Sequence, residues 1–203
     1  MTMKRAAAIV AVTLIAALGI AAYQLIWAGG TIGGPPEPRI IAASELPEIV
    51  MNADDAPSGM NLDGIYTEGN DVLVRPIISV TGSDAAAYLQ QPGFLAGRYT
   101  EFSDADLNVI LSWAALFETP AGAEQALALY VGEVQGEAGY GLGRRTEVAL
   151  GDEGAYYDDE DPEDDTKVYL WRVGNLVLAA ATIGDYDPEQ MRSVAEGMDD
   201  RAR

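Results

Sequence analysis

The chain has 203 residues, 49% of them apolar, and a formal charge of −20 from 12 basic and 32 acidic side chains, with no His and no Cys. That is enough for one folded domain, while an acidic surface repels phosphate backbones and anionic lipid and argues against a nucleic-acid partner. The missing imidazoles and thiols exclude Ser-His-Asp and Cys-His nucleophilic sites, Cys/His zinc sites, haem on its usual axial ligands, disulfides and the lipidated Cys of a lipoprotein.

Residues 1–28 begin with Lys4 and Arg5 and continue from Ala6 to Ala28 with only Thr13, Tyr23 and Gln24 interrupting the apolar run. As a helix rising about 1.5 Å per residue, that run covers roughly 34 Å, the depth of a hydrocarbon core. The basic flank stays inside, so the remainder is predicted to lie outside the cytoplasm as a single-pass membrane protein, with Tyr23 and Trp27 at the interface. The alternative is a signal peptide cleaved after Ala17-Leu18-Gly19 or Gly19-Ile20-Ala21, which releases a secreted protein. Residues 29–39 form a Gly/Pro-rich stem, and residues 40–203 the extracytoplasmic domain.

Within that domain, Ser44 is placed to cap one helical turn, and Asp54 to Gly59 carries turn chemistry. Residues 64–80 suggest a hairpin turning at Glu68-Gly69-Asn70-Asp71, and residues 82–93 a short helix opened by Ser83 or Asp84. A strand, a turn at Ser103 to Asp106 and a strand from Val109 to Phe117 follow, the last apolar on both alternations and so central and covered twice. Thr119 and Pro120 then open a helix whose Ala123, Leu127, Tyr130 and Val134 share one face.

The last third repeats this order. Short strands are predicted at Glu147 to Leu150 and Ala155 to Tyr157, then a hairpin turning at Gly174-Asn175 whose first strand has one partly exposed side. Asp187 and Pro188 open a final helix with Met191, Val194 or Ala195, and Met198 as its buried stripe. The fold class expected is α+β: a mostly antiparallel sheet with helices packed on a face, in two strand-turn-strand-helix halves.

"LPEIVMNADDAPSGM", "LGDEGAYY" and "VYLWRVGNLVLAA" together resemble segments of the extracytoplasmic sensor-type domains of actinobacterial secreted lipoproteins and receptor kinases. The resemblance covers Leu46 to Ala202 and implies an α+β module that binds a ligand or a partner; it transfers no catalytic residue. The chain departs from that pattern in lacking both the lipidated Cys and the disulfide pairs.

Four groups of residues invite a chemical reading. The stretch from Asp158 to Asp165 holds seven acids in eight positions. Asp159, Asp161, Glu163 and Asp165 could offer oxygen ligands to calcium, the only cofactor the sequence suggests. The ordered loop motif fails, however, where Asp164 replaces the required Gly and Leu170 the required Glu, which favours a solvated connector. Asp104, Asp106 and Asn108 imitate the same spacing and fail in the same way at Val109 and Ala115. Asp152 and Glu153 could act as acid and base, but neighbours on a strand face opposite ways. Lys167 lacks a nucleophilic Ser in an elbow motif and is better explained as an ion pair with Asp165. Aromatics on the strands belong to the core, or else Trp113, Tyr130, Trp171 and Met191 line a cavity for a small apolar ligand. The function expected is therefore non-catalytic: a membrane-anchored recognition module for an envelope protein or a small apolar ligand. The alternatives are a small carboxylate-dependent hydrolase of glycosidase type and a calcium-dependent binding domain using the acidic loop.

Overall fold

The computed structural model describes residues 39–67, 92–135, 144–158, 166–184 and 186–203. They belong to a compact unit, Pro38–Arg203, distinct from Met1–Glu37. A 3-10 turn at Ala43–Glu45 runs into a single-turn helix α1 (Leu46–Ile49). Strands β1 (Asn61–Tyr66), β2 (Phe94–Ser103) and β3 (Val109–Phe117) lead to helix α2 (Pro120–Gln135). Strands β4 (Arg144–Glu147), β5 (Glu153–Asp158), β6 (Thr166–Val173) and β7 (Leu176–Ile183) lead to helix α3 (Pro188–Ala202). All seven strands form one antiparallel sheet in the order β1-β2-β3-β7-β6-β5-β4. Two meanders therefore meet through their last strands, with Trp113 opposite Ala179 at the seam.

The central strands explain the packing. On β3, Ile110, Ala114 and Leu116 join one core, and Leu111, Trp113, Ala115 and Phe117 the other, so both alternations are buried as the sequence predicts. Beside Trp113, β7 supplies Ala179 and Ala181, and α2 supplies Ala123 and Ala126, small residues that let a helix close over a large ring. Thr119 caps α2 through a 3.0 Å bond from the Gly122 N–H to its hydroxyl. Asp187 caps α3 in the same way, accepting from the Glu189 N–H at 3.0 Å ahead of Pro188 at the first position. Met191, Val194, Ala195 and Met198 bury the predicted stripe.

Several expectations change. The two helices pack on opposite faces: α2 covers the Trp113 side, while α3 and α1 cover the side of Trp171 and Phe102. The halves thus share an order of elements without being rotated copies, and β6 has no open side, since only Arg172 along it is partly exposed. Ser44 sits exposed inside the 3-10 turn, and Glu45 instead accepts from the Ala42 N–H at 2.7 Å. The predicted strand at Glu147 to Leu150 falls three residues earlier, as β4. The turn after Ser103 is closed by Asp104, whose carboxylate accepts from the N–H groups of Asp106 and Asn108 and from the Asn108 side chain. These bonds hold its pKa below the ordinary value, the Asn108 amide contributing most. The hairpin turn at Glu68 to Asp71, the helix at Ser83 and the apolar run before Ala28 lie outside the described residues, as does the side chain of Val134. Among the described residues no helix is long and apolar enough to cross a membrane.

Candidate functional site

The segments that carry the family resemblance meet at one end of the sheet. Asp152 accepts from the Arg172 guanidinium at 3.0 Å and from the Gly174 N–H at 2.9 Å, while its own N–H donates to the Arg172 carbonyl at 2.7 Å. Gly151 and Gly174 have φ of +59° and +54°, and a Cβ at either would collide with a carbonyl, that of Arg172 or of Arg39. The buried Asn175 side chain accepts from the Ile41 N–H at 2.8 Å and donates to the carbonyls of Ile41 and Phe117. At the far end of α3, Arg201 pairs with Asp55 at 2.9 Å and donates to the Ile49 carbonyl, tying α1 down. Each of these polar groups is engaged by another part of the chain. Asp152 is thereby a structural anchor, its carboxylate bonded to Arg172 and the Gly174 N–H.

The aromatic set proposed for a ligand cavity does not converge. Trp113 and Tyr130 contact each other edge-on under α2, with ring centroids 4.7 Å apart, and both are fully buried. Trp171 and Met191 lie across the sheet in the other core, equally buried. A single wall cannot contain all four, and each has its place in a filled interior. Among the described residues the Tyr130 hydroxyl finds no partner, and burial raises its pKa well above the ordinary tyrosine value. Asp159, Asp161, Glu163 and Asp165 lie outside the described residues; among the described residues no acids gather as a metal site. Lys167 is buried opposite Asp158 on β5.

Among the described residues, a groove of about 400 Å³ lies between α3 and the outer strands, and a second of about 350 Å³ lies between Asp54, Asp55 and Pro57 on one side and Gln190, Ser193 and Val194 of α3 on the other. The floor of the larger is the pair Tyr156 and Tyr169, directly opposite on β5 and β6, with ring centroids 4.8 Å apart. Thr146 to Leu150 forms one wall, and Arg192 and Glu196 on α3 the other, joined by a 2.8 Å ion pair. Burial, the largest influence, raises the pKa of the Tyr169 hydroxyl; Arg192 opposes it, and Glu189 and Glu196 add to it. An apolar floor ringed by a few charges and hydroxyls is the usual character of a small-molecule or peptide site. Sequence reasoning assigned both tyrosines to the core and did not single out Arg192. The available signal was the polar run Arg144 to Glu147, which marks a sheet edge and hence a place where cover ends.

No family model matches the chain. None of the curated proteins matches it either. The fold is shared with the crystal structure of the extracellular domain of PknH from Mycobacterium tuberculosis, at a TM-score of 0.56 and 12% identity over 81% of this chain and 97% of that one. This likeness supports the architecture expected from the resemblance to sensor-type domains.

Proposed function

We propose that the chain is a non-catalytic recognition module outside the cytoplasm, held at the membrane through Ala6 to Ala28, and that it binds its ligand in the groove over Tyr156 and Tyr169. The observation that carries this reading is the contrast between that groove and the Asp152 corner. Asp152 and the Asn175 amide are tied to the fold, whereas the groove has a partly exposed Tyr156 ring over the buried Tyr169 and an exposed Arg192–Glu196 pair at its rim. The shared architecture with an extracellular domain supports the location. The ligand class is a small molecule or peptide side chain with an aromatic or apolar face, stacked on Tyr156.

Two measurements on the full chain test this reading. Because the chain has no Cys, Ser193→Cys on the exposed face of α3 provides a single reporter thiol. Labelling of intact cells by a membrane-impermeant maleimide is expected, and labelling only after lysis would place the domain inside. In detergent micelles, small aromatic fragments should shift the NMR signals of Thr146, Glu147 and Tyr156 before any others. Fragments scattered over the surface, or binding unchanged in Tyr156→Ala, would remove the groove as the site.

A further inference from the structure

The outer strand of the groove is also an edge of the sheet. All four residues of β4 are exposed, and among the described residues no strand pairs with its outer side. Alternation along the strand decides which backbone groups face outward. Thr146 and Arg144 stand opposite Tyr156 and Asp158, and the Val148 N–H donates to the Gly154 carbonyl at 3.2 Å, so the even-numbered residues bond inward to β5. Arg145 and Glu147 therefore present their N–H and C=O groups outward, and their side chains share the α2 face, where Arg145 also acts on the Tyr157 hydroxyl.

We infer that β4 is a homodimer interface, in which a second copy adds its own β4 antiparallel across a two-fold axis through Thr146. A two-fold perpendicular to the sheet keeps each face of one copy on the same side as that face of the other, so only residues of like parity can stand opposite. Four registers can be centred on the four residues of β4, and centring on Arg144 sets two arginines against each other on the axis. Centring on Arg145 sets two arginines against each other, and centring on Glu147 sets two glutamates against each other, both unfavourable. Centring on Thr146 sets Arg145 opposite Glu147 of the second copy, twice, and these pairs exchange both backbone N–H···O bonds. Edge charges usually blunt a strand against pairing; here the outward-facing Arg145 and Glu147 are opposite in sign and self-complementary. The other edge does not offer this, because β1 carries Asp63 and a bulge between Leu62 and Gly64 that breaks its ladder.

The pairing runs one sheet through both copies and places Arg144 of the second copy opposite Val148, at the rim of the groove. The inference does not rest on what the groove binds.

The test uses the absence of cysteine. On the axis, Thr146 stands in a non-hydrogen-bonded pair with Cα atoms about 4.5 Å apart, inside the range of about 4.4 to 6.8 Å that a disulfide spans. Full-chain Thr146→Cys in detergent micelles at physiological ionic strength should oxidise to a covalent dimer, while Ser193→Cys, equally exposed on α3, stays monomeric. Without any thiol, sedimentation should show a concentration-dependent dimer that is lost in Arg145→Glu and in Glu147→Arg and restored in the variant carrying both. Thermal melting confirms that each exposed-site variant is folded. Cross-linking of Thr146→Cys no faster than of Ser193→Cys overturns the interface. So does a dimer that survives both single charge reversals, since another surface or the residues before Glu37 would then be holding it.

Discussion

Strands β5 and β6 build two regions that treat polar residues in opposite ways. At the end near Gly151 and Gly174, a carboxylate and a buried amide are bonded to distant backbone, a guanidinium pairs with that carboxylate, and the chain turns there with left-handed glycines. A few residues along the same strands, the partly exposed Tyr156 packs on the buried Tyr169 at the floor of the groove, and the charges of Arg192 and Glu196 face solvent. The motifs that look most like chemistry in the sequence, "GDE" and "RVGN", belong to the first region. Their residue types are set by geometry: only glycine fits where a Cβ would strike a carbonyl, and only a side chain with both donor and acceptor can serve Ile41 from both sides.

The largest effect should come from breaking the anchored region. Asn175→Ala leaves the N–H of Ile41 and the carbonyls of Ile41 and Phe117 without their buried partner, and should cost about 3 kcal/mol in urea unfolding. Gly174→Ala forces a Cβ into a left-handed turn against the Arg39 carbonyl and should cost about 2 kcal/mol. If either variant lost fragment binding while still folded, the separation between the two regions would fail.

A pH titration probes the buried tyrosines on both faces of the sheet. Burial raises the pKa of Tyr157 and Tyr169 and pushes Tyr186 up to about 12, so the folded state keeps protons that the unfolded chain releases near pH 10. Their contribution to stability is complete below the ordinary tyrosine value and is lost as pH rises through the folded values, so the melting temperature should fall steeply above about pH 10. Tyr169→Phe should soften that fall, and an unchanged profile would show the hydroxyl to be solvated. Tyr156→Ala should lower stability by no more than about 1 kcal/mol while abolishing fragment binding, the reverse of the Asn175 result. The smallest change is expected for Tyr130→Phe, which removes an unpartnered buried hydroxyl and keeps the ring against Trp113. Stability should hold or rise by under about 1 kcal/mol, and a loss above that would reveal a hidden bonding role.

Much of the fold was legible in the sequence because it was written in local chemistry. The two-sided apolar run of β3, the Thr119-Pro120 and Asp187-Pro188 helix starts and the Gly174-Asn175 turn each announce themselves within a few residues. The faces taken by the helices were not legible, because α2 and α3 carry the same kind of stripe and a stripe does not say which side of the sheet it will meet. The groove was hidden for a related reason. Its walls come from Thr146 to Leu150 and from Arg192 and Glu196, segments brought together only where α3 lies over the sheet beside its outer strands. Tyr169 is in the interior as the sequence suggests, but its neighbour Tyr156 is only partly covered, since residue type alone does not distinguish a covered ring from one at the margin of cover.

The opposed helices carry one further consequence. With Trp113 and Trp171 on opposite sides of the sheet, the molecule holds two interiors that share strands but few side-chain neighbours. Substitutions in one should combine additively with substitutions in the other, while pairs within one interior should not. Such a partition lets either side drift in sequence without waiting for compensation on the other, which suits an architecture found again at 12% identity.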